Sequence, residues 1–561
     1  MCGIWALLTS EDNVDLSLFD KIKHRGPDQS QLLKIKTHNG DLSLGFHRLA
    51  IRDLSEAGMQ PMSLSINDSK KIYLICNGEI YNYDELQQRF KFPLKSSSDC
   101  EILLHLYIHY GRGEKAIKRM CHIIDAEFAF ILFDEEDQNL YVARDFGIRP
   151  LFMATSFNDK TKINVAFSSE MKGLQNIFGE KTHIEPFLPR SYWSSQTQVY
   201  SCYWSLPTSL DTKYLEDRNT LLPTIKSVLT MSVKSRLVSD RPLGFFLSGG
   251  LDSSLVVSIA AKLLREENPN IRIRTFSIGL PNSPDLLAAR VVSKFLKTEH
   301  TEVLLTYEKV LKVLPDVIKM LETYDTTTIR ASIAQYILAQ YIAENTDIRV
   351  LLSGEGSDEL CYGYKCWFQA PNEQEAQQVS LEMCQQLYLY DCLRVDRTTS
   401  AWGLEVRVPF LSSTFICVMM SIDPSLKMPT STFRPLSHNT NERSIVPIEK
   451  GLLRDAFFMG EEYLPFEILW RSKEAFSDGV GHSIVDKLRE RGSDINDQEF
   501  EDRCSNFEHC KPRTREELLN REIFESFYPQ QGHLIPDFWK QRWQNLNDPS
   551  ARFLSCYNQT S

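Results

Sequence analysis

The run Leu247-Ser248-Gly249-Gly250-Leu251-Asp252-Ser253-Ser254 constrains the fold of this chain more than any other stretch. It follows Pro242 to Leu247, an apolar run that reads as a buried strand, and precedes Leu255 to Leu264, whose apolar spacing is helical. Two glycines permit a tight turn, the serines add hydroxyl donors, and a helix starting at Ser253 would present unpaired amides and a positive dipole end. Such a turn fits a phosphate chain. It is not the G-x-x-x-x-G-K-[ST] loop, because no lysine follows the glycines.

The rhythm of the surrounding segments sets the fold class. From Phe245 onward, strands at Phe245 to Leu247, Ile271 to Ile278, Thr301 to Leu305 and Ile348 to Leu352 alternate with helical patterns at Leu286 to Leu296, Tyr307 to Leu321 and Ala331 to Glu344. That alternation specifies a parallel α/β sheet with ligands at the carboxyl ends of its strands. Upstream, Leu42 to Ile51, Lys71 to Cys76, Glu127 to Phe133, Asn139 to Ala143 and Ile163 to Phe167 read as strands, with Glu135 to Gln138 as a hairpin loop. Helices are expected at Asp84 to Phe90 and Cys100 to Tyr110, so this part reads as an α+β layered sandwich. At 561 residues the chain exceeds one compact core, and the division expected is 1–205 and 206–561. Beyond Gly363 the pattern is mostly helical, Pro429 to Pro447 reads as an exposed loop, and the last forty residues as irregular and partly mobile.

A net charge of -11 gives no general attraction to nucleic acid or anionic membrane, so small-molecule substrates are expected. Thirteen cysteines, odd in number, irregularly spaced and without a C-x-x-C pair, suit reduced thiols. No stretch approaches the roughly 20 apolar residues of a membrane span, and no leader pattern precedes Glu11. A cytosolic protein is the expectation. The triplets Asn67-Asp68-Ser69 and Asn558-Gln559-Thr560 then carry no glycan.

Met1-Cys2-Gly3-Ile4 offers a second chemistry. Removal of Met1 would leave Cys2 with a thiol nucleophile and an α-amine of ordinary pKa near 8 as its local base. Taken alone, a cysteine is more often a small buried hydrophobe. His24-Arg25-Gly26-Pro27-Asp28, Gly45-Phe46-His47-Arg48-Leu49-Ala50-Ile51, Cys76-Asn77-Gly78-Glu79-Ile80-Tyr81-Asn82 and Ser98-Asp99-Cys100-Glu101 follow in order. Together they resemble the class II glutamine amidotransferase domain, of N-terminal nucleophile hydrolase type, over roughly the first 200 residues. The resemblance implies Cys2 as the nucleophile on the glutamine amide and Asn77 with Gly78 N–H at the oxyanion. It implies a glutamine pocket of Arg48, Leu49, Ala50, Ile51, Arg52, Asn77, Gly78, Glu79 and Asp99, with Arg48 on the α-carboxylate and Glu79 and Asp99 near the α-amine. Without Cys2, Asn77-Gly78 would read as a hairpin turn and Arg48 and Asp99 as an exposed ion pair.

The S-G-G-x-D-S spacing resembles the loop of ATP pyrophosphatases, which cleave ATP to AMP and pyrophosphate. Leu352-Ser353-Gly354-Glu355-Gly356-Ser357-Asp358-Glu359 places carboxylates where phosphates should lie, a setting for Mg²⁺. With Leu387 to Arg394, Thr399 to Leu411 and Trp470 to Gly481, the whole chain resembles the glutamine-hydrolysing asparagine synthetases. The implied chemistry is adenylation of the aspartate β-carboxylate and attack by ammonia on the acyl-adenylate. Leu247 and Ile278 fall to adenosine, Ser248, Gly249, Gly250, Asp252, Ser253, Ser353 and Gly354 to ATP, and Glu355 to forming the adenylate or deprotonating ammonia. Lys473 falls to the departing pyrophosphate, and Asp252 and Asp358 to Mg²⁺. An enclosed passage for ammonia is expected, and a homodimer is left open. Departures from the family pattern are Ala126 for Gly, which should strain a turn, a loop at Arg144 to Pro150 one residue short, and Ser412 for Asp. A related enzyme acting on a different carboxylic acid, or a catalytically silent relative, are the alternatives.

Overall fold

The fold comes from a computed structural model that describes residues 1–11, 14–67, 69–156, 163–207, 215–437, 443–458, 460, 462–544, 548 and 550–554. Asp68, the triplet at Asn558, Pro549 and the middle of the 429–447 segment lie outside the described residues. The chain forms two compact units. One is Met1–Ser205 with Val238–Pro242 and Thr399–Glu405; the other is Leu206–Leu237, Leu243–Thr398 and Val406–Ser561.

In the first unit the strands are β1 (Gly3–Thr9), β2 (Gln29–Thr37), β3 (Gly40–Arg48), β4 (Met62–Ser65), β5 (Lys71–Ile80), β6 (Ala126–Asp134), β7 (Asn139–Arg144), β8 (Phe152–Ser156), β9 (Val165–Ser168), β10 (Thr182–Pro186), β11 (Ser191–Ser194) and β12 (Tyr200–Cys202). They make two antiparallel sheets, ordered β10-β8-β9-β1-β3-β2 and β12-β11-β7-β6-β5-β4. Ile4, Ala6, Leu44 and Phe46 from one sheet pack with Ile75, Ile131 and Val142 from the other in a single buried core. The opposite face of the second sheet, carrying Leu74, Cys76 and Phe130, packs on helical residues such as Leu103, Leu106, Ile117 and Met120. The alternation of side chains along β5 therefore decides more than packing. Asn77 shares the parity of Ile75 and faces the inter-sheet core, at whose margin Cys2 also lies.

The second unit holds a sheet ordered β15-β14-β13-β16-β17, formed by β13 (Leu243–Phe246), β14 (Arg274–Gly279), β15 (Glu299–Leu304), β16 (Val350–Leu352) and β17 (Glu405–Arg407). The pairs β13–β14, β13–β16 and β14–β15 are parallel. Successive crossovers run outward from β13 to β15, and the chain then returns to place β16 on the other side. The order reverses beside β13, so the crevice at its carboxyl end is where an open α/β sheet takes a ligand. Helices Leu251–Glu267 and Pro284–Leu296 follow β13 and β14, and Thr326–Asn345 lies within the β15-to-β16 crossover.

Two sequence expectations need correction. The helix after β13 starts at Leu251 with Gly250 as its cap, two residues before Ser253, because Ser254 N–H already bonds Gly250 O at 3.2 Å. The 429–447 segment carries an antiparallel hairpin, β18 (Phe433–Pro435) with β19 (Arg443–Pro447), and Pro429, Thr432 and Pro435 are buried. Within the described part of the final segment, Trp539 N–H donates to Asp325 Oδ1 at 2.8 Å, and Asp548 pairs with Arg330 at 3.0 Å. No helix among the described residues is long and apolar enough to cross a membrane.

Candidate functional sites

In the first unit, Cys2 precedes β1 and sits half-buried. Leu49 N–H donates to its Sγ at 3.4 Å, and Arg25 Nε donates to its carbonyl at 3.0 Å. Arg25 is held in turn by Glu170 at 2.8 Å and Ser400 at 3.1 Å. Burial pushes the Cys2 thiol up to about 11, and the neighbouring α-ammonium and the Leu49 hydrogen bond only partly offset it. Such a thiol needs a base. Met1 is buried, its ammonium donates to Leu404 O at 3.3 Å, and burial lowers that group to about 6.

Asn77 is buried within β5, and its Nδ2 has no hydrogen-bond partner. A buried amide donor left unmade costs about 1–3 kcal/mol, so an orphan here points to a ligand atom. Gly78 has no room for a side chain, since a Cβ would lie 2.5 Å from Glu127 O. Asn77 and Gly78 are strand residues, which removes the hairpin-turn reading. Asp99 Oδ2 accepts from Ile80 N–H at 2.6 Å and, like Glu79, is buried. Arg48 is also buried, so no exposed Arg48–Asp99 pair exists. The two terminal nitrogens of Arg48 donate to Gln29 Oε1, Ser55 O and Asp53 O, which shapes the loop after β3. Ala50 N–H is held by Asp28 Oδ2 at 2.8 Å, and the Arg52 guanidinium lies 4.8 Å over the Tyr83 ring. Leu49 and Ile51 are buried in the same loop.

In the second unit, a cavity of about 210 Å³ opens at the carboxyl ends of β13, β14 and β16. Leu247, Ser248, Gly250, Asp252, Ser253, Ile278, Ser353, Gly354, Glu355, Asp358 and Lys473 all line it. Gly249 does not. Its φ is +73°, and a Cβ there would fall 2.4 Å from Ala289 N, so glycine at this position lets the turn pack on the next helix. Ser248 and Ser253 hydroxyls meet at 3.0 Å across the turn.

The charges in this cavity are paired in a chain. Asp252 Oδ1 accepts from Ser357 Oγ at 2.8 Å and its Oδ2 from Lys450 Nζ. Asp358 contacts Lys450 Nζ at 2.6 Å through Oδ1 and Lys473 Nζ at 2.6 Å through Oδ2. Burial alone would raise Asp358, but the two lysines outweigh it and hold the carboxyl well below its usual range. Lys473 is lowered by burial and raised more strongly by Asp358 and Asp252, so it stays an ammonium. Glu355 is raised by burial, which Arg394 counters from 2.8 Å; Arg394 also pairs with Asp391. Glu359 is pushed up to about 8 by burial and by the Asp391 and Asp358 charges.

Lys450, Arg394 and Glu359 are cavity residues to which the motifs assigned no role. Arg394 and Glu359 sit inside quoted motifs, whereas Lys450 follows the 429–447 segment with nothing in the sequence to single it out. Trp539, Gln541 and Ser550 come from the segment expected to be irregular.

A glutamine amidotransferase domain family model matches residues 1–207, and an asparagine synthase family model matches 224–378 and 369–555. A probable glutamine-hydrolysing asparagine synthetase of Acanthamoeba polyphaga mimivirus is 40% identical over 99% of this chain and 100% of its own length. The glutamine-hydrolysing asparagine synthetases of Bos taurus and Homo sapiens are each 38% identical, over 99% of both chains in each comparison. The chain belongs to the asparagine synthetase family. The three positions expected to depart from the family pattern are built as follows. Ser412 Oγ accepts from Phe415 N–H at 3.2 Å and caps helix Ser413–Met420. Ala126 opens β6 opposite Ile80 without a positive φ, so the expected strain is absent. The 144–150 loop closes on Asp145, whose Oδ1 accepts from Gly147 and Ile148 N–H at 2.7 and 2.9 Å.

Proposed function

We propose that this protein makes asparagine from aspartate, with glutamine supplying nitrogen and ATP cleaved to AMP and pyrophosphate. The observation that carries the proposal is the pairing of two family matches with two sites: a cysteine at the margin of a core that holds an orphan amide donor, and a switch-point cavity rich in lysine and carboxylate.

In the first site, loss of Met1 frees the Cys2 α-amine to take the thiol proton, which a thiol held near 11 requires. The thiolate attacks the glutamine amide carbon. Asn77 Nδ2 and Gly78 N–H receive the developing oxyanion, the Cys2 α-ammonium passes its proton to the leaving nitrogen so that ammonia departs on collapse, and water releases glutamate from the thioester. Arg48, Leu49, Ala50, Ile51, Arg52, Glu79 and Asp99 form the glutamine pocket in this reading.

In the second site, a β-carboxylate oxygen of aspartate attacks the α-phosphorus of ATP and the bond to the β-phosphate oxygen breaks. Lys473 compensates the charge on the departing pyrophosphate. Ammonia then attacks the acyl carbon, AMP leaves, and Glu355 takes the surplus proton. Its raised affinity for a proton suits that role, and Arg394 keeps it from being neutral too readily. Ammonia passes between the two reactions without exchange with bulk solvent.

The donor set at Asp252 and Asp358 fits Mg²⁺, which commonly uses one or two carboxylates plus substrate phosphates. One observation supports the fit: the Lys450 ammonium already stands as a cation between these carboxylates. Bound there, Mg²⁺ would neutralise phosphate charge and orient the triphosphate. Cys2→Ala tests the division of labour: glutamine-dependent synthesis should vanish while ammonia-dependent synthesis persists. Loss of both would contradict it.

A further inference from the structure

Every oxygen of the two carboxylates assigned to the metal already has a partner from the chain itself. Asp252 uses Ser357 and Lys450, and Asp358 uses Lys450 and Lys473. Lys450 is the shared member. Its ammonium lies 2.5 Å from Asp252 Oδ2 and 2.6 Å from Asp358 Oδ1, with its side chain 1% exposed. The backbone is shaped for this position. Lys450 has a φ of +56°, a conformation with a steric cost for a residue bearing a Cβ. Gly363 adds the second constraint, since a Cβ there would come 2.0 Å from Lys450 Cε.

We infer that Lys450 is a resident cation that keeps the Asp252–Asp358 position closed to free divalent metal and yields it only when a nucleotide arrives. The inference rests on the assignment of Mg²⁺ to these two aspartates. Two carboxylates sharing one site without a cation would repel one another. The ammonium offsets that repulsion and holds both carboxylates aimed inward, as a metal requires. Free Mg²⁺ must displace a buried ammonium that would be left without an anion, which is strongly unfavourable. A metal–triphosphate complex brings its own anion. The Lys450 ammonium can exchange two carboxylates for phosphate oxygens, so charge is balanced before and after. Metal and nucleotide are thereby coupled: each is bound better in the presence of the other.

The test is Mn²⁺ binding to the full-length protein, read from the electron paramagnetic resonance signal of free Mn²⁺. It is measured with and without an ATP analogue that cannot be cleaved between the α and β phosphates. Wild-type protein without nucleotide should bind Mn²⁺ at least about tenfold more weakly than Lys450→Met, and the analogue should remove most of that difference. Lys450→Gln, which preserves polar contacts, should behave like Lys450→Met and covers the case in which the apolar variant fails to fold. Lys365→Met removes an equal charge from the same cavity wall and should leave Mn²⁺ binding at the wild-type level. Equal nucleotide-free affinities in wild type and both Lys450 variants would overturn the inference while leaving the metal assignment intact. Mn²⁺ binding with the analogue that is unchanged by Asp358→Asn would overturn the assignment itself, and the inference with it.

Discussion

Asn77→Ala separates catalysis from stability in a way few substitutions can. The Asn77 amide nitrogen is buried and makes no hydrogen bond within the protein. Deleting it forfeits no native hydrogen bond and removes an unsatisfied donor, worth about 1–3 kcal/mol, against the loss of a few packed atoms. The two effects oppose, and net stability should move by no more than about 1 kcal/mol. Catalysis has no such offset: losing one oxyanion donor costs about 2.7–4 kcal/mol, or roughly 10²–10³ in kcat. Glutamate release should fall by that factor, ammonia-dependent asparagine formation should be unaffected, and the thermal midpoint should stay near wild type. A loss of glutaminase turnover smaller than about tenfold would refute the oxyanion role. A large drop in melting temperature would refute the claim that the donor is idle in the resting fold.

Other outcomes follow from the same contacts. Ser412→Ala should cost about 1 kcal/mol in denaturant unfolding by removing the cap on Phe415 N–H, while Ser412→Asp should hold or raise stability at the helix dipole. Arg394→Met leaves Glu355 and Asp391 without their shared counter-charge; loss of about 3–5 kcal/mol and of ammonia-dependent synthesis is expected, with glutamate release retained. Glu359 holds a proton in the folded protein up to about 8 against an ordinary 4.5, so the unfolded chain binds fewer protons between those values and stability falls as pH rises through them. Glu359→Gln should match wild type in melting temperature below that window and exceed it above; parallel curves across the window would contradict the neutral Glu359.

The strand–Gly-Gly–helix turn was legible because its constraints are local: an apolar run, two glycines and a helical repeat close together in the chain. The helix boundary was missed by two positions because the hydrophobic pattern is silent at Leu251, where capping by Gly250 decides the start. Cys2 and Asn77 were named from motifs, but their neighbourhood depends on a register: only the pairing of β5 with β6 places Asn77 on the inter-sheet face. Lys450 was illegible. A lysine reads as solvated surface unless the fold brings carboxylates to it, and Asp252 and Asp358 lie 198 and 92 positions away in sequence. The returns of Val238–Pro242 and Thr399–Glu405 to the first unit are likewise long-range features that no local pattern announces. Trp539 and Gln541 were missed because their segment lacks periodicity, while Asp325 and Arg330 fix it through specific polar contacts.

The central claim is tested most directly by incubating the protein with amide-¹⁵N-glutamine, aspartate, ATP and excess unlabelled ammonium, then identifying every product. The account predicts asparagine carrying ¹⁵N in its side chain, undiluted by the solution ammonium, in equal amount with AMP and pyrophosphate. ADP and phosphate in place of AMP and pyrophosphate, or label in the amide of a different acid, would contradict it.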